Sequence, residues 1–193
     1  MTIVGLPPME DGFIGEAIGA AFLPVLRFQH RDVVDLHVPL ETGFHNLAII
    51  ASKQRYPRQA RKTCLGLLGA GQMMFTKVAV AVDADHPVHS MGDLLDVLHA
   101  RVDPAGDLVV LEGMVADTLE SAAPWENVHD KLIIDATTPP DNDPHSGQPP
   151  QLGCPDSLEV SASAVSGVIQ ARMLRSSMLV VTTNIEGAPK PEG

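Results

Sequence analysis

The chain is poor in cysteine, in positive charge and in long apolar runs. Its two cysteines, Cys64 and Cys154, lie one in an apolar run and one in a Pro/Gly-rich stretch. Two free thiols in an intracellular setting, rather than a disulfide, are expected. Lys and Arg number 13 against 24 Asp and Glu, a net charge of −11. That balance argues against nucleic acid or an anionic membrane surface as partner. It favours solubility and says little about substrate. No run approaches the length of a membrane span. No charged segment followed by an apolar one opens the chain, so no signal peptide is expected and a cytoplasmic location follows. Internal repeats are absent as well.

What is present reads as one globular domain. The 193 residues, 45% hydrophobic and 19% charged, can enclose a core. Residues 1–12, with Pro7-Pro8, form a linker-like lead-in. Residues 13–138 carry the regular pattern, and 139–193 form a divergent loop, a helix and a flexible tail. Ile14, Ile18, Ala21, Phe22 and Val25 have helical spacing, which Pro24 should kink or end. Strands are expected over 33–38, 44–51, 77–82, 108–111 and 132–136. A helix with Pro57 as its first residue runs over 58–69. Ser90 caps another over 91–101. The turn Asp103-Pro104-Ala105-Gly106 follows it. The run 77–82 is small and β-branched throughout, as suits a strand covered on both faces. This alternation predicts a Rossmann-like three-layer α/β/α sandwich around a mostly parallel mixed sheet. Residues 138–155 shift to Pro, Gly, Asp and Gln, a surface loop. A helix over 158–174 and a strand or extended tail over 178–183 complete the reading.

Several motifs invite chemistry. Gly66-x-x-Gly69-x-Gly71 has its glycines in the wrong order for a dinucleotide loop, with a helix before and a strand after. Close packing or a helix C-cap accounts for it better. Asp83-Ala84-Asp85-His86 with His89 offers metal ligands at the carboxyl end of a buried strand; a solvated turn is the plainer reading. His37 and His45 read as packed or surface histidines. Cys64, among leucines, lacks the electropositive exposure of a nucleophile. Ser52 and Ser90 lack an elbow context. Lys77 sits either at a pocket mouth or in water at a strand start. Gln72-Met73-Met74-Phe75 is soft apolar surface, open to two readings: core packing, or the wall of an aromatic-substrate pocket.

The same residues carry a family resemblance. Gly71-Gln72-Met73-Met74-Phe75-Thr76-Lys77, then a strand and Asp83-x-Asp85, resembles the UbiD-type decarboxylases, which remove carboxylate from aromatic acids. Phe22-Leu23-Pro24-x-Leu26, Phe44-His45-Asn46, Lys53-x-Arg55-Tyr56-Pro57, Arg101-x-Asp103-Pro104 and Lys131-x-x-Ile134-Asp135-Ala136-Thr137 follow in the family's order. Gly5-x-Pro7-Pro8-Met9-Glu10-Asp11 is similar to the linker after its central domain. The likeness covers residues 2–140 and is nearest to the 4-hydroxy-3-polyprenylbenzoate and menaquinone-biosynthesis decarboxylases.

The resemblance implies a UbiD C-terminal domain that closes the substrate pocket and takes part in assembly. In that family prenylated FMN, Mn²⁺ and K⁺ serve catalysis, and the Glu-Arg-Glu network lies in the earlier domains. No catalytic, cofactor or metal residue is therefore expected here, and the chain alone should be inactive. The resemblance assigns Gln72, Met73, Met74, Ala136 and Thr137 to a substrate-pocket wall. It implies a homo-oligomer, or pairing with a separately encoded N-terminal half. Beyond 138 the sequence departs from the family, and 139–193 lacks the aromatic terminal helix that helps relatives dimerise. Two alternatives stand beside it: a stand-alone module binding small aromatic acids, and a structural oligomerisation domain.

Overall fold

The computed structural model describes residues 19–21, 23–42, 46–118, 120, 123–143, 164, 168–173 and 179–183. A five-stranded mixed sheet is built from β1 (Val33–His37), β2 (Leu47–Ser52), β3 (Val78–Asp83), β4 (Leu108–Val115) and β5 (Val128–Asp135). Their order is β1-β2-β3-β5-β4. The central β2, β3 and β5 are parallel, and the edges β1 and β4 are antiparallel to their neighbours. Helix α1 covers 23–29, with 19–21 also helical; α2 is Gln59–Leu68 and α3 is Met91–Arg101.

Strand alternation divides the core between two faces. Ala48, Ile50, Ala79, Ala81 and Ile133 pack with Leu26 of α1 and with Ala60, Cys64, Leu67 and Leu68 of α2. The intervening Ile49, Ala51, Val80 and Val82 pack with Leu94 and Val97 of α3. Because both faces are covered, β2 and β3 are apolar up to Ser52 and Asp83 at their ends. The expected three layers result. Three alanines on the α2 side let that helix lie close to the sheet.

Local chemistry sets the boundaries. Ser90 Oγ accepts the Asp93 amide at 3.2 Å, as a cap should. The expected start of α2 at Pro57 is corrected: Arg58 has φ 65 and helix begins at Gln59. Arg58 bonds to Asp107 and Asp143 hold that left-handed turn. At the other end the Gly69 amide reaches Leu65 O, a C-cap. Gly66 is packed so tightly that a Cβ would stand 2.3 Å from His30 Cε1. Both glycines thus follow the packing-and-cap reading. β4 and β5 run longer than expected. They form an antiparallel pair with an irregularity between Leu111 and Met114, where Gly113 takes φ 64.

One expectation fails outright. Residues 168–173 are not helical: β6 (Val168–Met173) pairs antiparallel with β7 (Leu179–Thr183). Val168 and Ile169 on one strand and Val180, Val181, Thr182 and Thr183 on the other favour extended pairing over helix. The lead-in 1–12, the start of the 14–28 helix, Phe44 and His45, and the rest of the 158–174 span lie outside the described residues.

Candidate functional site

Two polar clusters occupy opposite ends of the parallel strands. At the amino end, a 3-10 turn over Gly71–Phe75 leads into β3. Gly71, at φ 52, turns the chain away from α2, and the Thr76 amide closes the turn on Met73 O at 3.1 Å. Met73 packs against the α2-side core, whereas Gln72 and Met74 are exposed, Met74 by 37%. Core packing and outward apolar surface are thus divided between the two methionines.

Beneath this turn lies Lys131 of β5, only 1% exposed. Its Nζ donates to Met74 O and to Thr76 O, both at 2.7 Å, and stands 3.3 Å from His129 Nε2. An ammonium has three protons, and these three acceptors use them all. His129 therefore offers Nε2 as acceptor and carries its proton on Nδ1. Nδ1 is buried with no hydrogen-bond partner among the described residues. Lys77 and Glu120 form an ion pair beside the cluster at 3.4 Å. Burial pushes the Lys131 ammonium down from 10.5 to about 8. Burial also lowers His129, helped by the charges of Lys131 and Lys77 and opposed by Glu120 and Asp130.

The carboxyl end is a lattice of paired charges, in which Arg61 Nε and Gln54 Oε1 are buried with no hydrogen-bond partner among the described residues. Thr137 Oγ1 donates to Asp135 Oδ1 at 2.5 Å and accepts from Gln54 Nε2 at 2.5 Å. Arg61 lies 3.5 Å from Asp135 and 3.3 Å from Asp107, and Arg58 reaches Asp107 at 3.4 Å and Asp143 at 3.5 Å. Asp83 accepts the Thr138 amide at 2.9 Å, the Thr138 hydroxyl at 2.6 Å and the Arg101 guanidinium. The segment 137–143 is thereby stitched to the β2–α2 connection, through Gln54 and Arg58, and to the end of β3, through Asp83. These carboxylates are already met by guanidinium or hydroxyl groups and do not suit a divalent cation. No group of three or more potential ligands occurs among the described residues. His89 pairs with Asp35 at 3.8 Å and its ring lies 4.4 Å from that of His37. The Asp83–His89 stretch is a structural turn.

The five sequence-nominated wall residues therefore fall into two groups. Gln72, Met73 and Met74 precede β3; Ala136 and Thr137 follow β5, which runs parallel to it. Six residues of β3 at ~3.3 Å each put the groups on the order of 20 Å apart. Ala136 is a core residue of the α3 side. Lys77, which sequence left between pocket mouth and solvent, is tied to Glu120 at the amino end. Sequence reasoning missed His129 as a member of this cluster. Its only signal was position two residues before Lys131, which puts both on one face of a strand.

Residues 12–136 match the family described as the 3-octaprenyl-4-hydroxybenzoate carboxy-lyase C-terminal domain. An uncharacterized protein of Archaeoglobus fulgidus is 45% identical over 136 residues, covering 70% of this chain and 28% of that protein. One from Aquifex aeolicus is 41% identical over 137 residues, covering 71% and 28%. Among solved structures, the vanillic acid decarboxylase of Sedimentibacter hydroxybenzoicus in its open form is similar with a TM-score of 0.62 at 26% identity, over 74% of this chain and 30% of that one. A UbiD-class enzyme of Pelotomaculum thermopropionicum in complex with FMN shares the fold, with a TM-score of 0.60 at 19% identity, over 76% and 32%. The chain spans about a third or less of the length of each of these proteins.

Proposed function

The chain belongs to the C-terminal domain family of the UbiD carboxy-lyases, and from that premise we propose that it closes the substrate pocket of an aromatic-acid decarboxylase and takes part in its assembly. The substrate class is a hydroxylated aromatic acid of the kind processed in ubiquinone and menaquinone biosynthesis. Loss of CO₂ from such an acid needs an acceptor for the developing carbanion, which prenylated FMN with Mn²⁺ and K⁺ supplies when bound. We place that group in the larger part of the protein outside this domain, because the carboxylates described here are committed to arginines and hydroxyls. This chain contributes a wall: Gln72 and Met74 face outward from a fixed turn, with a thioether suited to an aromatic ring. Lys77, a third exposed beside it, is held there by its ion pair with Glu120 at 3.4 Å. A cytoplasmic setting and a homo-oligomer, or a separately encoded N-terminal half, complete the reading. Exposed Val110 (60%) and Trp125 (72%) support an assembled state.

The observation that carries this reading is the outward Met74 on a turn pinned from below by Lys131. The test is a chimera in which this domain replaces the matching 28% of the Archaeoglobus fulgidus relative. With prenylated FMN and Mn²⁺ the chimera should release CO₂ from a hydroxyaromatic acid, and Met74→Glu should abolish release. The isolated chain should release none. CO₂ from the isolated chain above a no-protein control, or an indifferent Met74→Glu chimera, would refute the assignment.

A further inference from the structure

We propose that Lys131 is a positioning residue: its buried ammonium fixes the Met73–Met74 turn in the shape that receives an aromatic acid. This rests on the reading of that turn as a substrate wall. The turn is five residues long, and such 3-10 segments are weakly held by their own hydrogen bonds. The Thr76 amide ends it on Met73 O at 3.1 Å. Met74 O and Thr76 O are left to the interior, and Thr76 is 1% exposed, so water does not serve it. One group answers both carbonyls. Lys131 Nζ bonds each at 2.7 Å and spends its third proton on His129 Nε2.

A methionine would fill the same space without the cost of burying a charge. What a methionine lacks is three donors fanned from one atom. The hub joins the turn to β5 and, through Lys77 O accepting the Leu132 amide at 2.9 Å, to the start of the β3–β5 ladder. Met74 is thus aimed from beneath by a residue that touches no ligand. His129 and Asp130 on β5, Lys77 before β3 and Glu120 in the preceding loop are the charged or titratable groups around the hub. Lys131 itself titrates near pH 8, so the turn should respond to pH in a range where ordinary lysines do not.

The full chain is titrated by NMR, following the Lys131 Cε resonance and the amides of residues 74–77, and then with 1-hydroxy-2-naphthoate as probe. In the wild type the Lys131 signal and those amides should move with one shared midpoint near pH 8, and affinity for the naphthoate should fall through the same midpoint. In Lys131→Met the amide titration should vanish. Naphthoate binding should weaken roughly tenfold or more, the scale of lost hydrogen bonds to a charged group. Exchange of the β2 and β3 amides should be unchanged. Separate midpoints in the wild type overturn the proposal even if Lys131→Met does not fold. So does a folded Lys131→Met that binds as well as wild type. A wild type that shows the shared midpoint but no naphthoate binding overturns the substrate-wall reading, and with it the ligand half of the proposal, leaving the hydrogen-bonded hub intact.

Discussion

Replacing Asp83 by alanine removes the acceptor that ties the segment after β5 to the end of β3. Three bonds go at once: the Thr138 amide at 2.9 Å, the Thr138 hydroxyl at 2.6 Å and the Arg101 guanidinium. A hydrogen bond to a charged group contributes about 1.5–3 kcal/mol when shielded. Here Thr138 is exposed and the Arg101 side chain is 40% exposed. Solvent screening therefore leaves the ion pair under ~1 kcal/mol. The net cost of Asp83→Ala should be about 2 kcal/mol at neutral pH. Asp83→Asn, which keeps one acceptor, should lose less.

The pH dependence makes the claim specific. Burial alone would raise the Asp83 carboxyl, but the Thr138 bonds and Arg101 outweigh it and hold it below 3.8. A carboxyl lowered in the folded state adds stability that is complete above its unfolded pKa and is lost as pH falls through the folded one. Urea unfolding followed by far-UV circular dichroism should show a wild-type advantage at neutral pH that shrinks below about pH 4. Equal stability at neutral pH, or an advantage undiminished in acid, would refute the reasoning.

Gly66→Ala should destabilise by about 1–3 kcal/mol despite the better helix former, because the new Cβ meets the His30 ring. Gly69→Ala, with Leu65 O at 3.4 Å, should cost far less in the same thermal melts. Ser90→Ala should cost about 1 kcal/mol in urea through loss of the α3 cap. The Cys64 thiol is pushed up to about 12 by burial, then by Asp135 and Asp32. It should ignore a disulfide reagent in the native state and react on unfolding. Its thiol also stays protonated in the fold while the unfolded chain ionises near 9, so its contribution to stability should fall as pH rises from 9 towards 12.

The parts of the fold legible in the sequence were those fixed by local pattern. The Val78–Val82 run declared its double burial by having no polar side, and Ser90 declared its cap. What failed depended on partners distant in the chain. Pro57 looked like the first helical residue until Arg58, held by Asp107 and Asp143, took a left-handed turn. Residues 168–173 scan as helix until β7 offers them an extended partner. The site divides in the same way. The soft character of Gln72–Met74 is a property of composition, but its separation from Ala136 and Thr137 depends on strand direction. Lys131 was visible only as a letter in a family-like pattern. Its burial under two carbonyls needed the third dimension.

The stitching of residues 137–143 bears on where this unit can be cut. The family match stops at 136, and a boundary drawn there from homology would sever Thr137 from Gln54, Thr138 from Asp83 and Asp143 from Arg58. It would strip Arg58 of one of the two carboxylates that hold its unusual backbone angle. An expression boundary chosen for folding belongs beyond 143, outside the span that ancestry alone would mark.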